Sequence, residues 1–125
     1  MTLTLITSAM LTALAQIETG NNPNVVGAAG ELGRYQLMPR MAALEWKAEH
    51  PDHPKIPARW WTKPKIEEML VRRVWSNWVN TFKITYSRSP SDTELYLCWH
   101  RPGRVLNPTP KERERAQRFA NLCYP

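Results

Sequence analysis

The chain has 125 residues, of which 42% are hydrophobic, and its formal net charge is +6. This length fits one domain with its own core, and the apolar content excludes a wholly disordered chain, so we interpret residues 1–125 as a single domain. No apolar run approaches the roughly eighteen residues of a membrane-spanning helix, which excludes a membrane span. Six tryptophans exceed the usual needs of so small a core and favour a surface that stacks on flat ligands.

Capping residues and helical spacing predict five helices, so the expected class is all-α. The first is expected from about Thr7 to Glu18 with Gly20 as its C-cap, and the second from Pro39 to about Glu49. The other three are predicted at about residues 65–83, 91–100 and 109–122.

Two connections between these helices have unusual compositions. Residues 19–36 are rich in Asn and Gly, which is typical of a loop, and hold at most a minor strand pair at residues 25–26 and 34–37. Residues 50–64 contain four prolines and form an irregular connection that is long for a compact domain. Such long connections are often functional.

The basic charge is unevenly distributed along the chain. All seventeen Lys and Arg residues lie at or after Arg34, whereas the only charged side chains in residues 1–33 are those of Glu18 and Glu31. Basic domains attract polyanions, including nucleic acids, anionic lipid headgroups and acidic cell-wall polymers, and charge alone does not choose among them. No helix-turn-helix, zinc or RNA-recognition signature is present, so we expect no nucleic-acid partner.

Glu18 is a carboxylate on an apolar helix stripe. Leu11, Leu14 and Glu18 are spaced i, i+3 and i+7, which places them on one face of the first helix. Glu18 also lies in the last turn, where the helix dipole presents negative charge. Both effects disfavour the ionised form, and a carboxylic acid that stays protonated is what a general acid needs. The alternative is a solvated Glu at a frayed helix end.

The residues that follow form an ordered set of motifs. Glu18 and Thr19 end the helix, the loop reads Gly-Asn-Asn-Pro-Asn-Val-Val-Gly, and Gly30, Gly33 and Gln36 precede Leu-Met-Pro. This order closely resembles the catalytic domain of soluble lytic transglycosylases and goose-type lysozymes. There a helix ends in Glu-Ser, and GNPxAxG and GxxGxxQ(I/L)MP follow. The combination is specific, although each piece alone is weak.

A third motif of that family, Ala-Tyr-Asn-Ala-Gly, is matched only loosely by Cys98-Trp99-His100-Arg101. Trp99 stands in the place of Tyr and His100 in the place of Asn, and the Tyr of the family helps to orient the catalytic Glu. The resemblance is therefore strong over residues 15–39 and loose over residues 90–105.

The resemblance implies a lysozyme-like α+β fold with about five helices around a substrate cleft. It also implies cleavage of the β-1,4 bond between N-acetylmuramic acid and N-acetylglucosamine in peptidoglycan. Glu18 would protonate the glycosidic oxygen and then act as a base. In a lytic transglycosylase the C6 hydroxyl of the muramic acid attacks and gives a 1,6-anhydro end, whereas in a lysozyme or endolysin water attacks.

Hydrolysis commonly uses a second carboxylate. Glu31 is the other acid near the motif, and an exposed loop position is its commoner interpretation. Transglycosylase chemistry is therefore favoured, with a hydrolytic muramidase as the alternative. The altered third motif keeps open a second alternative, an inactive wall-binding module.

Several side chains are candidates for contacts with the sugar. Glycines allow the backbone to approach a ligand closely, and Gln36 is expected either to pair with an N-acetyl or hydroxyl group or only to tie the loop together. Trp75 and Trp78, on the long helix, are expected in the core. The candidate substrate-binding residues are Thr19, Gly33, Tyr35, Gln36, Trp60, Trp61, Trp99 and His100.

No cofactor and no metal are predicted, because neither Cys98 nor Cys123 has metal-site spacing and no second histidine lies at ligand spacing from His100. The two cysteines are expected as unpaired thiols. The expected partner is the peptidoglycan glycan strand, bound by a monomer. Residues 1–16 lack the basic n-region of a signal peptide, so we expect the protein to reach the wall, in the periplasm or outside the cell, by another route such as phage lysis.

Overall fold

The computed structural model describes residues 5–125, and over this range it contains five α-helices, as the all-α prediction requires. The helices are α1 (Ser8–Thr19), α2 (Pro39–Glu49), α3 (Pro64–Tyr86), α4 (Asp92–His100) and α5 (Pro110–Cys123). Residues 1–4, which begin both the predicted domain and the signal-like segment, lie outside the described residues. No helix among the described residues is both long enough and apolar enough to cross a bilayer.

Local capping fixes where α1 begins and ends. The hydroxyl of Thr7 accepts the N–H of Met10 at 3.1 Å, which satisfies one of the free donors of the first turn. Gly20 adopts a left-handed conformation, with φ 64°, and donates its N–H to Gln16 at 3.1 Å. The chain turns sharply at this point, so that Glu18 lies in the final turn of the helix.

The last two helices begin with capping boxes. Ser91 accepts the N–H of Glu94 while the Glu94 carboxylate accepts the N–H of Ser91, and Thr109 and Glu112 form the same pair of bonds. These bonds satisfy free N–H groups of the first turn and fix the residue at which each helix begins. Glu112 is held in this way as a nearly buried carboxylate at the start of α5.

The core lies between the long helix α3 and the helices around it. α3 packs against α2 and α4, and α5 packs against α1 and α4. Trp75 is fully buried at the centre, where its indole N–H donates to the Leu95 carbonyl at 2.8 Å. Its ring also contacts Phe119 of α5, with ring centroids 5.7 Å apart. Trp75 is therefore a core residue, as its helical spacing predicted.

The expected β element reduces to isolated bridges. Leu32 pairs antiparallel with both Val26 and Leu37, instead of residues 25–26 pairing with residues 34–37. A tight turn causes this difference, because Gln36 donates its N–H to the Gly33 carbonyl at 3.3 Å and folds the segment back on Leu32. The predicted irregular connection before α3 contains one 3-10 turn, Trp60–Thr62.

Candidate active site

The Glu18 carboxylate is held by side chains from the C-terminal half of the chain. Only 8% of its side chain is exposed, Oε1 accepts the hydroxyl of Tyr96 at 2.8 Å, and Oε2 lies 3.3 Å from Nη2 of Arg115. Burial, reinforced by the negative charge of Glu18, raises the pKa of Tyr96, so its hydroxyl remains a hydrogen-bond donor. The two oxygens of Glu18 therefore have different, fixed partners.

Arg115 changes the electrostatic expectation for Glu18. The helix α1 carries no Lys or Arg, so no cation of the same helix can pair with Glu18. The packing of α5 on α1 brings Nη2 of Arg115 to 3.3 Å from Oε2 of Glu18 and to 3.4 Å from the Ile17 carbonyl oxygen. This guanidinium therefore also neutralises part of the negative end of the helix dipole.

A cavity of about 250 Å³ opens beside Glu18. Its wall includes a second carboxylate, Glu31, together with the amide of Gln36 and several apolar and aromatic side chains. Those further side chains are Leu37, Met38, Met41, Val74, Trp78, Trp99, His100 and Pro102. The cavity wall thus combines titratable and amide groups with apolar and aromatic side chains, a combination suited to a sugar ring.

The loop between α1 and α2 is ordered by its own side chains. The side-chain amide of Gln36 donates to the Val25 and Gly33 carbonyls at 3.1 and 2.9 Å. The backbone of Gln36 has a left-handed conformation, with φ 58°. Glu31 accepts the Ala29 N–H at 2.8 Å. Gln36 therefore ties the loop together, as one of its two interpretations expected, and also lines the cavity.

Thr19 joins the end of α1 to this loop. Its hydroxyl donates to the Arg34 carbonyl at 2.9 Å and accepts the Asn22 N–H at 3.1 Å. Tyr35 is buried, and its carbonyl accepts the indole N–H of Trp99 at 3.0 Å. Both residues thus hold the backbone around Glu18, and neither is among the side chains that line the cavity over the described residues.

A buried ion pair between Arg34 and Glu67 joins the loop between α1 and α2 to α3. Glu67 of α3 is fully buried and accepts both the Nε and the backbone N–H of Arg34, at 2.9 and 3.1 Å. Burial raises the pKa of Glu67, and the bonds from Arg34 oppose that rise. Gly33 has a φ of 83°, and a Cβ there would lie 2.2 Å from Glu67 Oε2, so only glycine fits.

The tryptophans divide between the cavity and the core. Trp99, which was predicted to contact the sugar, lines the cavity, and so does Trp78, which was expected in the core. Trp60 and Trp61 are not among the cavity-lining residues of the described chain. Trp60 is 4% exposed and meets Trp61 edge to face, with ring centroids 5.6 Å apart. In this conformation the pair packs beside the loop.

Tyr96 is a contact of Glu18 that the sequence motifs did not indicate. The loose third motif suggested that Trp99 takes the place of the orienting Tyr, but the indole of Trp99 donates to Tyr35, and it is Tyr96 that donates to Glu18. One signal in the sequence could have found it. Tyr96 lies one helical turn before His100, so both share a face of α4, and their rings stack at 5.4 Å.

Comparisons with family models, curated proteins and solved structures find no match to this chain. Over residues 5–125 no group of three or more His, Cys, Asp or Glu side chains that could hold a metal comes together. Cys98 and Cys123 are both free thiols.

Proposed function

We propose that this chain is a peptidoglycan-cleaving glycosidase in which Glu18 is the general acid and then the general base. The observation that carries the proposal is the Glu18 carboxylate, which is nearly buried, held at both oxygens and still part of a cavity wall. A carboxyl group with this combination of burial, fixed orientation and access suits proton transfer to a bound ligand. The motif order around Glu18 supports the choice of substrate.

The contacts of Glu18 fit both halves of such a reaction. Protonated Glu18 gives its proton to the glycosidic oxygen as the bond to C1 breaks, which leaves a carboxylate that Tyr96 and Arg115 stabilise through the contacts already present. The carboxylate then takes the proton of the attacking hydroxyl. If that hydroxyl is the C6 hydroxyl of the same sugar, the product is a 1,6-anhydro end, and this lytic transglycosylase outcome is our first choice.

Hydrolysis is the second candidate, and the position of Glu31 favours it. The Glu31 carboxylate lines the same cavity as Glu18, so it could activate a water molecule as the second carboxylate of a hydrolytic muramidase. Its existing bond to the Ala29 N–H is a structural role that competes with this one. In either case the expected partner is an anionic wall polymer, to which the net charge of +6 attracts the protein.

A turbidity assay on purified bacterial walls tests the proposal. The wild type should clear the suspension, and Glu18→Gln, which cannot give or take the proton, should lose at least about a hundredfold in rate. Glu114→Gln is the matched control, because it makes the same charge change at an exposed position of α5 and should retain the wild-type rate. A wild type that is inert at every pH contradicts the proposal and favours a wall-binding module.

A further inference from the structure

Both ring nitrogens of His100 face a carboxylate. Nδ1 lies 3.6 Å from Oε1 of Glu18, and Nε2 lies 3.3 Å from Oε2 of Glu112. The imidazole is three-quarters buried and stacks on Tyr96 with an angle of 15° between the ring planes. Stacking and burial limit the rotation of the ring, so each nitrogen keeps its own carboxylate.

Glu112 is an anchored negative charge. Its Oε1 accepts the Thr109 N–H at 2.9 Å in the capping box, and Arg101 Nη1 lies 3.6 Å from Oε2. The Thr109 N–H and hydroxyl contacts and the guanidinium of Arg101 hold the pKa of Glu112 below its usual value, against the effect of burial. Glu112 therefore remains an ionised acceptor beside His100 Nε2 at neutral pH.

This geometry constrains where protons can lie. A neutral imidazole carries one N–H, and the ionised Glu112 favours it on Nε2. Nδ1 then meets Glu18 either as an acceptor or, in the imidazolium, as a second donor. Neutral His100 with protonated Glu18 and imidazolium His100 with ionised Glu18 have the same total charge. They differ only by one proton moving between Nδ1 and Oε1.

The remaining groups around His100 and Glu18 are compatible with both of these states. Arg115, from α5, contacts Oε2 of Glu18 and leaves Oε1 to Tyr96 and His100. Tyr96 stays neutral, and Glu31, from the loop, shares the cavity. A distance of 3.6 Å is too long for a direct hydrogen bond, so transfer requires a small side-chain shift or one bridging water.

We propose that Glu18 and His100 share one proton, while Glu112 keeps Nε2 of His100 protonated in both states. His100 is then a positioning residue that holds the proton near Glu18, and its catalytic consequence rests on the proposed function. When protonated Glu18 gives its proton to the leaving oxygen, the pair is left without the shared proton. The Glu18 carboxylate takes up the proton of the attacking hydroxyl, so the pair ends the cycle as it began.

Nitrogen NMR of the full-length, 15N-labelled protein tests the proton sharing without any need for activity. In the wild type, Nε2 of His100 should show the shift of a protonated nitrogen and Nδ1 an intermediate shift. In Glu18→Gln, Nδ1 should move to the shift of a plain acceptor, because an amide cannot share the proton. In Glu112→Ala the protonation of Nε2 should become mixed.

Glu114→Ala is the matched control for the second variant. It removes a carboxylate from an exposed position of α5 but leaves Glu112 and its capping box, so the His100 shifts should stay those of the wild type. An Nδ1 shift that Glu18→Gln does not move, or an Nε2 shift that Glu112→Ala does not move, overturns the proposal.

Wall-clearing kinetics test the catalytic consequence. His100→Asn should lower kcat about tenfold with KM within about twofold, as expected for the loss of one charge-assisted contact in the transition state. His53→Asn makes the same substitution at an exposed position and should leave both constants unchanged. A wild-type kcat in His100→Asn refutes the role of His100 while the proposed function stands. An inert wild type refutes the proposed function while the nitrogen shifts still decide the proton sharing.

Discussion

The hydroxyl of Tyr96 donates a 2.8 Å hydrogen bond to Oε1 of Glu18, although the two residues are 78 positions apart in the chain. Tyr96 is fully buried and stacks on His100, so the donor has little freedom to leave its acceptor. The position of Oε1 of Glu18, at the end of α1, therefore depends on a side chain of α4. This dependence can be tested with a change of one atom.

Tyr96→Phe should keep the packing of the ring and lose the hydrogen bond to Glu18. We expect wall clearing to slow about tenfold, equivalent to about 1.4 kcal/mol of transition-state stabilisation, with a loss of folding stability of about 1–2 kcal/mol. Turbidity assays and urea unfolding measure the two effects. Tyr124→Phe removes a hydroxyl from a half-exposed tyrosine and should change neither. Full activity in Tyr96→Phe would show that Glu18 does not need this donor.

Glu31→Gln separates the two chemical outcomes. Gln retains an acceptor for the Ala29 N–H but cannot act as a base, so the loop should keep its structure. If the C6 hydroxyl attacks, mass spectrometry of the released fragments should show anhydro ends at a rate within about fivefold of the wild type. Reducing ends in the wild type that disappear in Glu31→Gln would instead identify a hydrolase.

Gly33→Ala, which adds one methyl group, should lower the free energy of unfolding more than the same change at Gly30 of this loop. A Cβ there would lie 2.2 Å from Glu67 Oε2 and disturb the buried pair with Arg34, which we expect to cost at least about 3 kcal/mol. Gly30 has a similar φ of 92° but no neighbour within 4 Å, so Gly30→Ala should cost only about 1–2 kcal/mol. Urea unfolding compares the two, and equal losses would contradict the close approach.

Glu94 makes stability depend on pH at the acid end. The hydrogen bonds from Arg88 lower the pKa of Glu94 to about 2, from 4.5, with the capping bonds of Ser91 adding to this. Since the folded pKa is the lower one, the ionised form stabilises the fold above about pH 4.5, and this contribution is lost as the pH falls towards 2.

Replacing Glu94 by Gln should therefore flatten the acid side of the stability curve. Because Arg88 is half-exposed, we expect an effect on the order of 1–2 kcal/mol when unfolding free energies at about pH 6 and pH 2 are compared. Glu114→Gln, on the exposed face of α5, should keep the wild-type difference. An unchanged difference in Glu94→Gln would mean that solvent screens the pair completely.

Local signals predicted the helices and the loop, and long-range packing determined the rest. The α1 cap at Thr7 and the break at Gly20 are contacts within a few residues, which sequence patterns report well. Arg115 and Tyr96 reach Glu18 only because α5 and α4 pack near α1, and no spacing rule links them to it.

Long-range packing also determines the position of Trp78 at the cavity and the burial of Glu67, which the sequence did not predict. Spacing on α3 indicates which face Trp78 shares with Trp75, but not that this face ends at the cavity. Glu67 is the first of two adjacent acids near the start of α3, and its burial depends on contacts with Arg34 and Gly33, which belong to the loop between α1 and α2. Each of these depends on a partner from a different element.

The contacts of α5 with Glu18 have a consequence for the fraction of molecules in which the surroundings of Glu18 are intact. Arg115 and Glu112 both lie on α5, so any opening that lifts this helix from α1 and α4 separates the surroundings of Glu18 even while α1 to α3 remain folded. The fraction of molecules with an intact Glu18 site is then governed by the free energy of that local opening, and not by the free energy of global unfolding. Amide hydrogen exchange along α5 would report the free energy of the local opening.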